Sequence, residues 1–120
     1  MSLRCLIVDD NVGFLRSARG LLEREGVTVA VASNGDDALR QAEALKPDVA
    51  LVDIDLGPEN GFDVAGRLHG PPGRPPLDVI LISTHGEDDF ADLIAANPAV
   101  GFISKGHLTA HAIDRLLGRL

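Results

Sequence analysis

The chain has 120 residues and a formal net charge of −7, and 45% of its residues are hydrophobic while 24% are charged. This length predicts a single domain over residues 1–120, large enough to bury a core without disulfide bonds. The acidic balance, with basic residues scattered singly, argues against direct nucleic-acid binding by this chain and against anionic membrane surfaces. One cysteine, no signal-peptide pattern and no apolar run of membrane length predict a cytoplasmic protein.

The first half of the chain alternates short apolar runs with helical patterns. Strands are predicted at residues 4–8, 27–32 and 49–52, and the third leads into Asp53. Helices are predicted at residues 12–25 and 38–45, followed by Gly26 and by Lys46-Pro47 as stop signals. A loop rich in Gly, Pro and Asn is predicted to continue from Asp53 to Gly61.

The second half continues this alternation. Helices are predicted at residues 62–68, 87–96 and 109–120, with Thr109 as the expected N-cap of the last. Strands are predicted at residues 77–83 and 100–104. Residues 69–76 (His-Gly-Pro-Pro-Gly-Arg-Pro-Pro) are predicted to be a loop, because proline fits neither a helix interior nor a central strand.

Five β/α repeats of this kind predict an α/β fold. Several of the strands are continuously apolar, which is typical of parallel strands that helices cover on both faces. Short right-handed crossovers then give an open, doubly wound five-stranded sheet of flavodoxin-like strand order 2-1-3-4-5. Ligands of such sheets bind beyond the carboxyl ends of the strands. The residues that follow each strand are therefore the candidates for function.

Carboxylate, hydroxyl and ammonium side chains lie at the carboxyl ends of the first, third, fourth and fifth predicted strands. They are Asp9 and Asp10 after the first strand, Asp53 and Asp55 after the third, Ser83 and Thr84 after the fourth, and Lys105 after the fifth. Because the first and third strands are neighbours in the predicted order, their carboxylates must converge and repel one another. A hard divalent cation relieves this repulsion, and all-oxygen ligation with retained waters predicts Mg²⁺ as the cofactor.

The other groups at this edge suit a phosphoryl group. Asp53 is a carboxylate that can attack phosphorus and form an acyl phosphate. Lys105 supplies a mobile positive charge, and Ser83 supplies a hydroxyl donor. Phosphoryl transfer depends mainly on positioning and charge neutralisation, which a metal and a lysine provide. The residues therefore predict a phosphoryl-accepting site.

Four stretches of the chain together resemble the response-regulator receiver family of two-component signalling. They are the pair Asp9-Asp10, LVDIDLGPENGFDV around Asp53, VILIST with Ser83, and GFISK ending in Lys105. The resemblance extends over essentially the whole chain. It implies that Asp53 is the phosphoacceptor, that Lys105 binds the phosphate, and that a histidine kinase or phosphotransfer protein is the donor.

The same resemblance implies roles for neighbouring residues. The implied metal ligands are Asp10 directly, Asp9 through water, Asp53, and the backbone carbonyl of Asp55. Ser83 and Phe102 correspond to a hydroxyl and an aromatic ring that move on phosphorylation. Their movement is implied to reshape the face made by the fourth helix, the fifth strand and the fifth helix, through which a homodimer is also expected.

The chain departs from the family pattern in two places, after Asp53 and after Lys105. Gly57 stands where the family usually has a proline four residues after the phosphoacceptor, with Pro58 following, although Gly61 keeps the loop length. Gly106 replaces the usual proline after the lysine. A trans bond is expected there, because a cis bond without proline costs about 2.5–4 kcal/mol.

Three side chains near the site are implied to tune the lifetime of the phosphoryl group: Asp55, Thr84 and His85. Thr84 is larger than the Ala or Gly that usually follows the switch hydroxyl, so we expect it to narrow access to the phosphate. The assignments of Asp55 and His85 follow only from their positions in the family pattern.

Three functions are compatible with these residues. The first is a stoichiometric phosphoacceptor, not a turnover enzyme, that catalyses its own phosphorylation and dephosphorylation. The second is a haloacid-dehalogenase-like phosphatase, because Asp53-Ile54-Asp55 resembles the Asp-x-Asp motif of that family, although there the motif follows the first strand. The third is a receiver-like interaction module that works without phosphate, and the presence of Asp53, Ser83 and Lys105 argues against it.

Overall fold

The computed structural model describes residues 3–70 and 76–119, and five strands form its main sheet. They are β1 (Arg4–Val8), β2 (Thr28–Ala32), β3 (Val49–Asp53), β4 (Asp78–Ser83) and β5 (Gly101–Ser104). All five predicted strands are confirmed, with ends that agree to within one residue. The apolar, largely β-branched runs form strands because such side chains pack well on a pleated surface.

All neighbouring strands of this sheet are parallel, and their order is β2-β1-β3-β4-β5. The predicted order 2-1-3-4-5 is therefore confirmed. The central pair is β1 and β3, with Val8 opposite Val52, and Asp53 at the end of β3 lies opposite Ile82 of β4. The strand order reverses between β1 and β3, which places the ligand crevice of a doubly wound sheet beyond their carboxyl ends.

Among the described residues, five α-helices flank the sheet. They are α1 (Val12–Arg24), α2 (Gly35–Leu45), α3 (Gly61–His69), α4 (Ala91–Ala96) and α5 (Ala110–Leu117). Four of them begin with a side chain that accepts a first-turn backbone N–H: Asn11, Asn34, Asn60 and the predicted cap Thr109. Within residues 3–70 and 76–119, no helix combines the length and the apolarity needed to cross a membrane.

The helix ends differ from the predictions in three places. The prediction of a last helix up to residue 120 is wrong, because Gly118 takes a left-handed φ of 71° and closes α5 after Leu117. Residues 87–96 are not one helix but a 3₁₀ turn at Glu87–Phe90 followed by α4, since Phe90 has a φ of −130° that interrupts the helical path. α2 begins at Gly35, three residues before the predicted start.

The predicted loop between Asp53 and Gly61 contains a small hairpin. Asp55–Leu56 pairs antiparallel with Glu59–Asn60, and residues 55–60 are called the 55–60 hairpin below. The loop prediction is wrong here because Leu56 is 2% exposed and its burial anchors the turn. Of the predicted loop 69–76, His69 belongs to α3, and residues 71–75 lie outside the described residues.

Two apolar layers enclose the sheet. One face packs against α1 and α5 through residues such as Leu22 and Ile113, and the other packs against α2 and α3 through residues such as Ala38 and Val64. Cys5 is buried in the first layer, where burial raises the pKa of its thiol to about 12. The thiol is therefore an inert packing group at neutral pH. The two layers cover the faces of the sheet, and polar residues follow the strands at their carboxyl ends.

Candidate functional site

Three polar side chains are buried among the described residues, and all three lie at the carboxyl ends of central strands. The exposed fractions are 0% for Asp9, 5% for Asp53 and 3% for Ser83. Buried carboxylates are costly unless charges or hydrogen bonds compensate them. Their grouping at the predicted edge of the sheet therefore marks the candidate functional site, and the three residues are among those predicted from the sequence.

Three carboxylates converge at this edge as predicted. One oxygen atom each of Asp9, Asp10 and Asp53 lies within 4.8 Å of the others. Asp9 is oriented by the backbone N–H of Asn11, which donates to its Oδ1 at 2.9 Å. Asp53 is oriented in the same way, because the backbone N–H of Asp55 donates to its Oδ1 at 3.2 Å. Asp10 is exposed, so this cluster opens to solvent on its side.

Lys105 lies between two of these carboxylates. Its Nζ is 2.6 Å from Oδ2 of Asp9 and 3.4 Å from Oδ2 of Asp53, and its side chain is 12% exposed. The contact with Asp53 is a hydrogen bond. The contact with Asp9 is a close ion pair, and Oδ2 of Asp9 has no other hydrogen-bond partner among the described residues.

The proximity of these charges changes two pKa values. The pKa of Asp53 is raised to about 6, because burial and repulsion from Asp9 raise it by more than Lys105 and the backbone N–H of Asp55 lower it. Burial alone would lower the pKa of Lys105, but the Asp9 and Asp53 carboxylates outweigh it and raise that pKa above its usual value. Lys105 is therefore a cation at neutral pH, and the ionised form of Asp53 is energetically disfavoured in the folded protein.

The cluster fits a magnesium ion. Its donors are carboxylate oxygens, which Mg²⁺ prefers, and the buried Oδ2 of Asp9 has no hydrogen-bond partner among the described residues apart from the Lys105 ammonium 2.6 Å away. Asp10 and Asp53 contribute further oxygens within the same 4.8 Å group. A divalent cation would relieve the repulsion that raises the pKa of Asp53. The predicted cofactor is thus compatible with the residues present.

Of the two predicted switch residues, Ser83 is the last residue of β4 and Phe102 lies within β5. The hydroxyl of Ser83 accepts a hydrogen bond from the backbone N–H of His85 at 3.0 Å. Thr84 and His85 are exposed, at the rim of the site. Phe102 is half-buried and packs against the layer of α2 and α3. The roles of these four residues stay predictions.

Two glycines shape the segment that follows Asp53, one where the chain departs from the family pattern and one where it keeps it. Gly57 has a φ of +67°, which proline cannot adopt because its ring holds φ near −65°. Gly61 lies so close to the end of β3 that a Cβ there would be 1.9 Å from the carbonyl oxygen of Asp53. After Lys105, the expected trans bond to Gly106 is confirmed, because the described residues contain no cis peptide bond.

Two residues near the site were not predicted from the sequence. Phe14 lies in the first predicted helix and was not assigned to the site, yet its ring centroid lies 4.4 Å from Nζ of Lys105, a cation–π distance. Its position in the first turn after Asp10 was the available signal. Glu59 accepts a hydrogen bond from the backbone N–H of Gly35 at 2.8 Å, and no spacing in the sequence predicts this contact.

Comparison with known proteins supports the same family. The chain matches the response regulator receiver domain family model over residues 5–116. It is 33% identical over 99 residues to the DNA-binding response regulator MtrA of Mycolicibacterium paratuberculosis, covering 75% of this chain and 44% of MtrA. It is 30% identical over 117 residues to the response regulator GacA of Pseudomonas viridiflava, covering 95% of this chain and 53% of GacA. The chain thus spans about half the length of these curated relatives.

Solved structures show the same fold. The CheY-like receiver domain protein of Methanospirillum hungatei has a TM-score of 0.79 at 24% identity, covering 99% of this chain and 94% of that one. The chemotaxis response regulator CheY4 of Vibrio cholerae has a TM-score of 0.80 at 20% identity, covering 99% and 98%. The haloacid-dehalogenase alternative is not favoured by these matches. The chain belongs to the response regulator receiver domain family of two-component systems.

Proposed function

We propose that Asp53 accepts a phosphoryl group from the phosphohistidine of a histidine kinase or phosphotransfer protein, with Mg²⁺ as cofactor. The observation that carries this proposal is the convergence of one cation and three carboxylates at the strand ends. Lys105 lies 3.4 Å from Asp53, and Asp9, Asp10 and Asp53 share one 4.8 Å cluster. With Mg²⁺ bound, such a cluster would offset the charge of an incoming phosphate and position the accepting carboxylate for attack.

In the proposed step, a carboxylate oxygen of Asp53 attacks the phosphorus of the phosphohistidine. The oxygen–phosphorus bond forms as the nitrogen–phosphorus bond breaks, and the electron pair of that bond stays with the imidazole nitrogen, which takes up a proton. Lys105 neutralises charge on the phosphoryl oxygens. Mg²⁺ bound by Asp9, Asp10, Asp53 and the Asp55 carbonyl would supply further positive charge there.

One chain accepts one phosphoryl group, so the proposed role is that of a stoichiometric acceptor rather than a turnover enzyme. Loss of the group to water returns Asp53 to its free carboxylate. Asp55, Thr84 and His85 are all exposed at the mouth of the site. We propose that these three side chains set the access of water and thereby the lifetime of the acyl phosphate.

We propose that Ser83 and Phe102 transmit the effect of phosphorylation to the surface of the protein. The Ser83 hydroxyl is buried beside the cluster, where it can turn toward a phosphoryl group. Phe102 lines a cleft of about 580 Å³ between β5 and α5, together with residues such as His107 and Leu116. This cleft gives the ring space to rotate, and rotation would reshape the α4–β5–α5 face.

That face is also proposed to form a homodimer in the phosphorylated state. We expect sedimentation velocity to show a larger species when beryllium fluoride, which mimics a phosphoryl group on aspartate, is added with Mg²⁺. The Asp53→Asn variant is the control and should sediment identically with and without the mimic. A wild-type chain that remains monomeric under both conditions would remove the dimer from the proposal.

Intact mass after incubation with Mg²⁺ and acetyl phosphate tests the phosphoacceptor directly. A phosphate-sized mass gain is expected in the wild type, dependent on Mg²⁺ and lost at alkaline pH, as an acyl phosphate requires. The gain should be absent in Asp53→Asn. No gain in a folded wild-type chain would favour the interaction module, and consumption of acetyl phosphate without any mass gain would favour a phosphatase.

A further inference from the structure

One side chain ties the 55–60 hairpin to the first turn of α2. Oε1 of Glu59 accepts a hydrogen bond from the backbone N–H of Gly35 at 2.8 Å, although 24 residues separate the two in the chain. Glu59 is half-buried, and Gly35 is buried. A Cβ at Gly35 would lie 2.7 Å from Oε2 of Glu59. The carboxylate therefore lies directly on the N-terminus of the helix, where the peptide dipoles favour a negative charge.

The same hairpin reaches the acidic cluster with its turn. Glu59 pairs with Leu56 across the hairpin, and Gly57 follows Leu56 at the turn. The backbone of Gly57 lies so close to Asp10 that a Cβ there would be 2.9 Å from Oδ2 of that carboxylate. A displacement of Glu59 would therefore move the turn that contacts Asp10.

The first strand of the hairpin contacts the proposed phosphoacceptor. The backbone N–H of Asp55 donates to Oδ1 of Asp53 at 3.2 Å, and the Asp55 carbonyl belongs to the same short strand. Because the hairpin has only two residues on each strand, its internal pairing is marginal and needs outside anchors. Burial of Leu56 is one such anchor, and the bond from Glu59 to α2 is another.

We propose that Glu59 is a positioning residue for the metal site, which holds the 55–60 hairpin against Asp10 and Asp53 by its hydrogen bond to the N-terminus of α2. This inference rests on the proposed function, because the position of the hairpin affects phosphoryl transfer through the Mg²⁺ ligands. Glu59 itself is not a ligand. Its role is to fix the distance between the Asp55 carbonyl and the carboxylates.

Calorimetric titration of the metal-free protein with MgCl₂ alone tests the role of Glu59. Glu59→Ala is expected to weaken Mg²⁺ binding about three- to tenfold, below the 10–100-fold typical of groups that touch a metal ligand directly. Glu59→Gln keeps an acceptor oxygen for the Gly35 N–H and should bind within about twofold of the wild type. Hydrogen exchange at Gly35 in the metal-free protein should be faster in Glu59→Ala and unchanged in Glu59→Gln.

Asn34→Ala is the matched control for a merely structural effect. Asn34 caps the same helix by accepting the Asp37 backbone N–H at 2.8 Å, and its side chain has no hydrogen bond to the hairpin among the described residues. Its loss should lower the melting temperature without changing Mg²⁺ affinity. Gly35→Ala disrupts the same hydrogen bond from the helix, because its Cβ would displace the carboxylate of Glu59. This variant should weaken Mg²⁺ binding although it retains Glu59.

The outcomes separate the inference from the proposed function. Two results would overturn the positioning role and leave the phosphoacceptor proposal intact, provided that the wild type binds Mg²⁺. In the first, folded Glu59→Ala binds Mg²⁺ with the affinity of the wild type. In the second, Asn34→Ala loses as much Mg²⁺ affinity as Glu59→Ala does. If Glu59→Ala does not fold, Gly35→Ala decides by the same affinity criterion. A folded wild type that binds no Mg²⁺ overturns both.

Discussion

Gly61→Ala is expected to destabilise the fold by at least about 3 kcal/mol, the upper range for overpacking, and to abolish phosphoryl acceptance with it. A Cβ at this position would lie 1.9 Å from the carbonyl oxygen of Asp53 and 2.6 Å from that of Ile54. Both are backbone atoms at the end of a central strand, so they cannot turn away as a side chain would. Relief of the clash must move either the start of α3 or Asp53 itself.

Gly66→Ala in the same helix provides the matched control. A Cβ at Gly66 would meet no atom within 4 Å, and alanine is favoured over glycine in a helix interior by about 1 kcal/mol. Urea unfolding should therefore show a lower midpoint for Gly61→Ala and an equal or higher midpoint for Gly66→Ala. Equal midpoints for the two variants would contradict the close approach of α3 to β3.

The sheet and the candidate site were predictable from the sequence because both depend on local patterns. Continuous apolar runs such as residues 49–52 are incompatible with an exposed strand, and their alternation with helical patterns leaves few topologies. Once the order of strands was predicted, the convergence of Asp9 and Asp53 followed, since they come directly after two neighbouring strands. The convergence of these side chains needed no further information.

The details that were not predicted depend on contacts between distant residues. The 55–60 hairpin forms because Leu56 is buried by other elements and because Gly57 takes a positive φ, and neither property is visible in a stretch rich in Gly, Pro and Asn. The bond between Glu59 and Gly35 joins two loops across 24 residues. The interruption of the 87–96 helix at Phe90 likewise depends on packing around the ring, which contacts both Phe62 and His85.

Lys105→Met is expected to destabilise the metal-free protein at pH 7 by about 2–3 kcal/mol. Removing one member of a fully buried ion pair typically costs about 3–5 kcal/mol, and the value is lower here because Asp10 leaves the cluster open to solvent. Methionine retains the apolar stem but leaves Asp9 and Asp53 facing each other without a cation. Lys46→Met is the control, because the only other lysine of the chain is exposed, and its loss should change stability little.

The pH dependence of this loss follows from the raised pKa of Asp53. In the folded wild type this pKa is about 6 against an ordinary value of 3.8, so protonation favours the folded state and stability falls as pH rises from about 4 to 6. Lys105→Met removes a group that opposes the rise in the pKa of Asp53. Its deficit in unfolding free energy, measured with urea and EDTA, should therefore be small near pH 4 and grow toward pH 7.

Two changes should recover part of this deficit. Asp53→Asn in the Lys105→Met background should do so because it removes one repelling charge. In the single variant Lys105→Met, saturating Mg²⁺ should likewise recover part of the stability deficit, since the cation replaces the lost positive charge. A deficit that is equal at pH 4 and pH 7, and unaffected by Mg²⁺, would show that Lys105 stabilises the fold through packing and not through the charges of the acidic cluster.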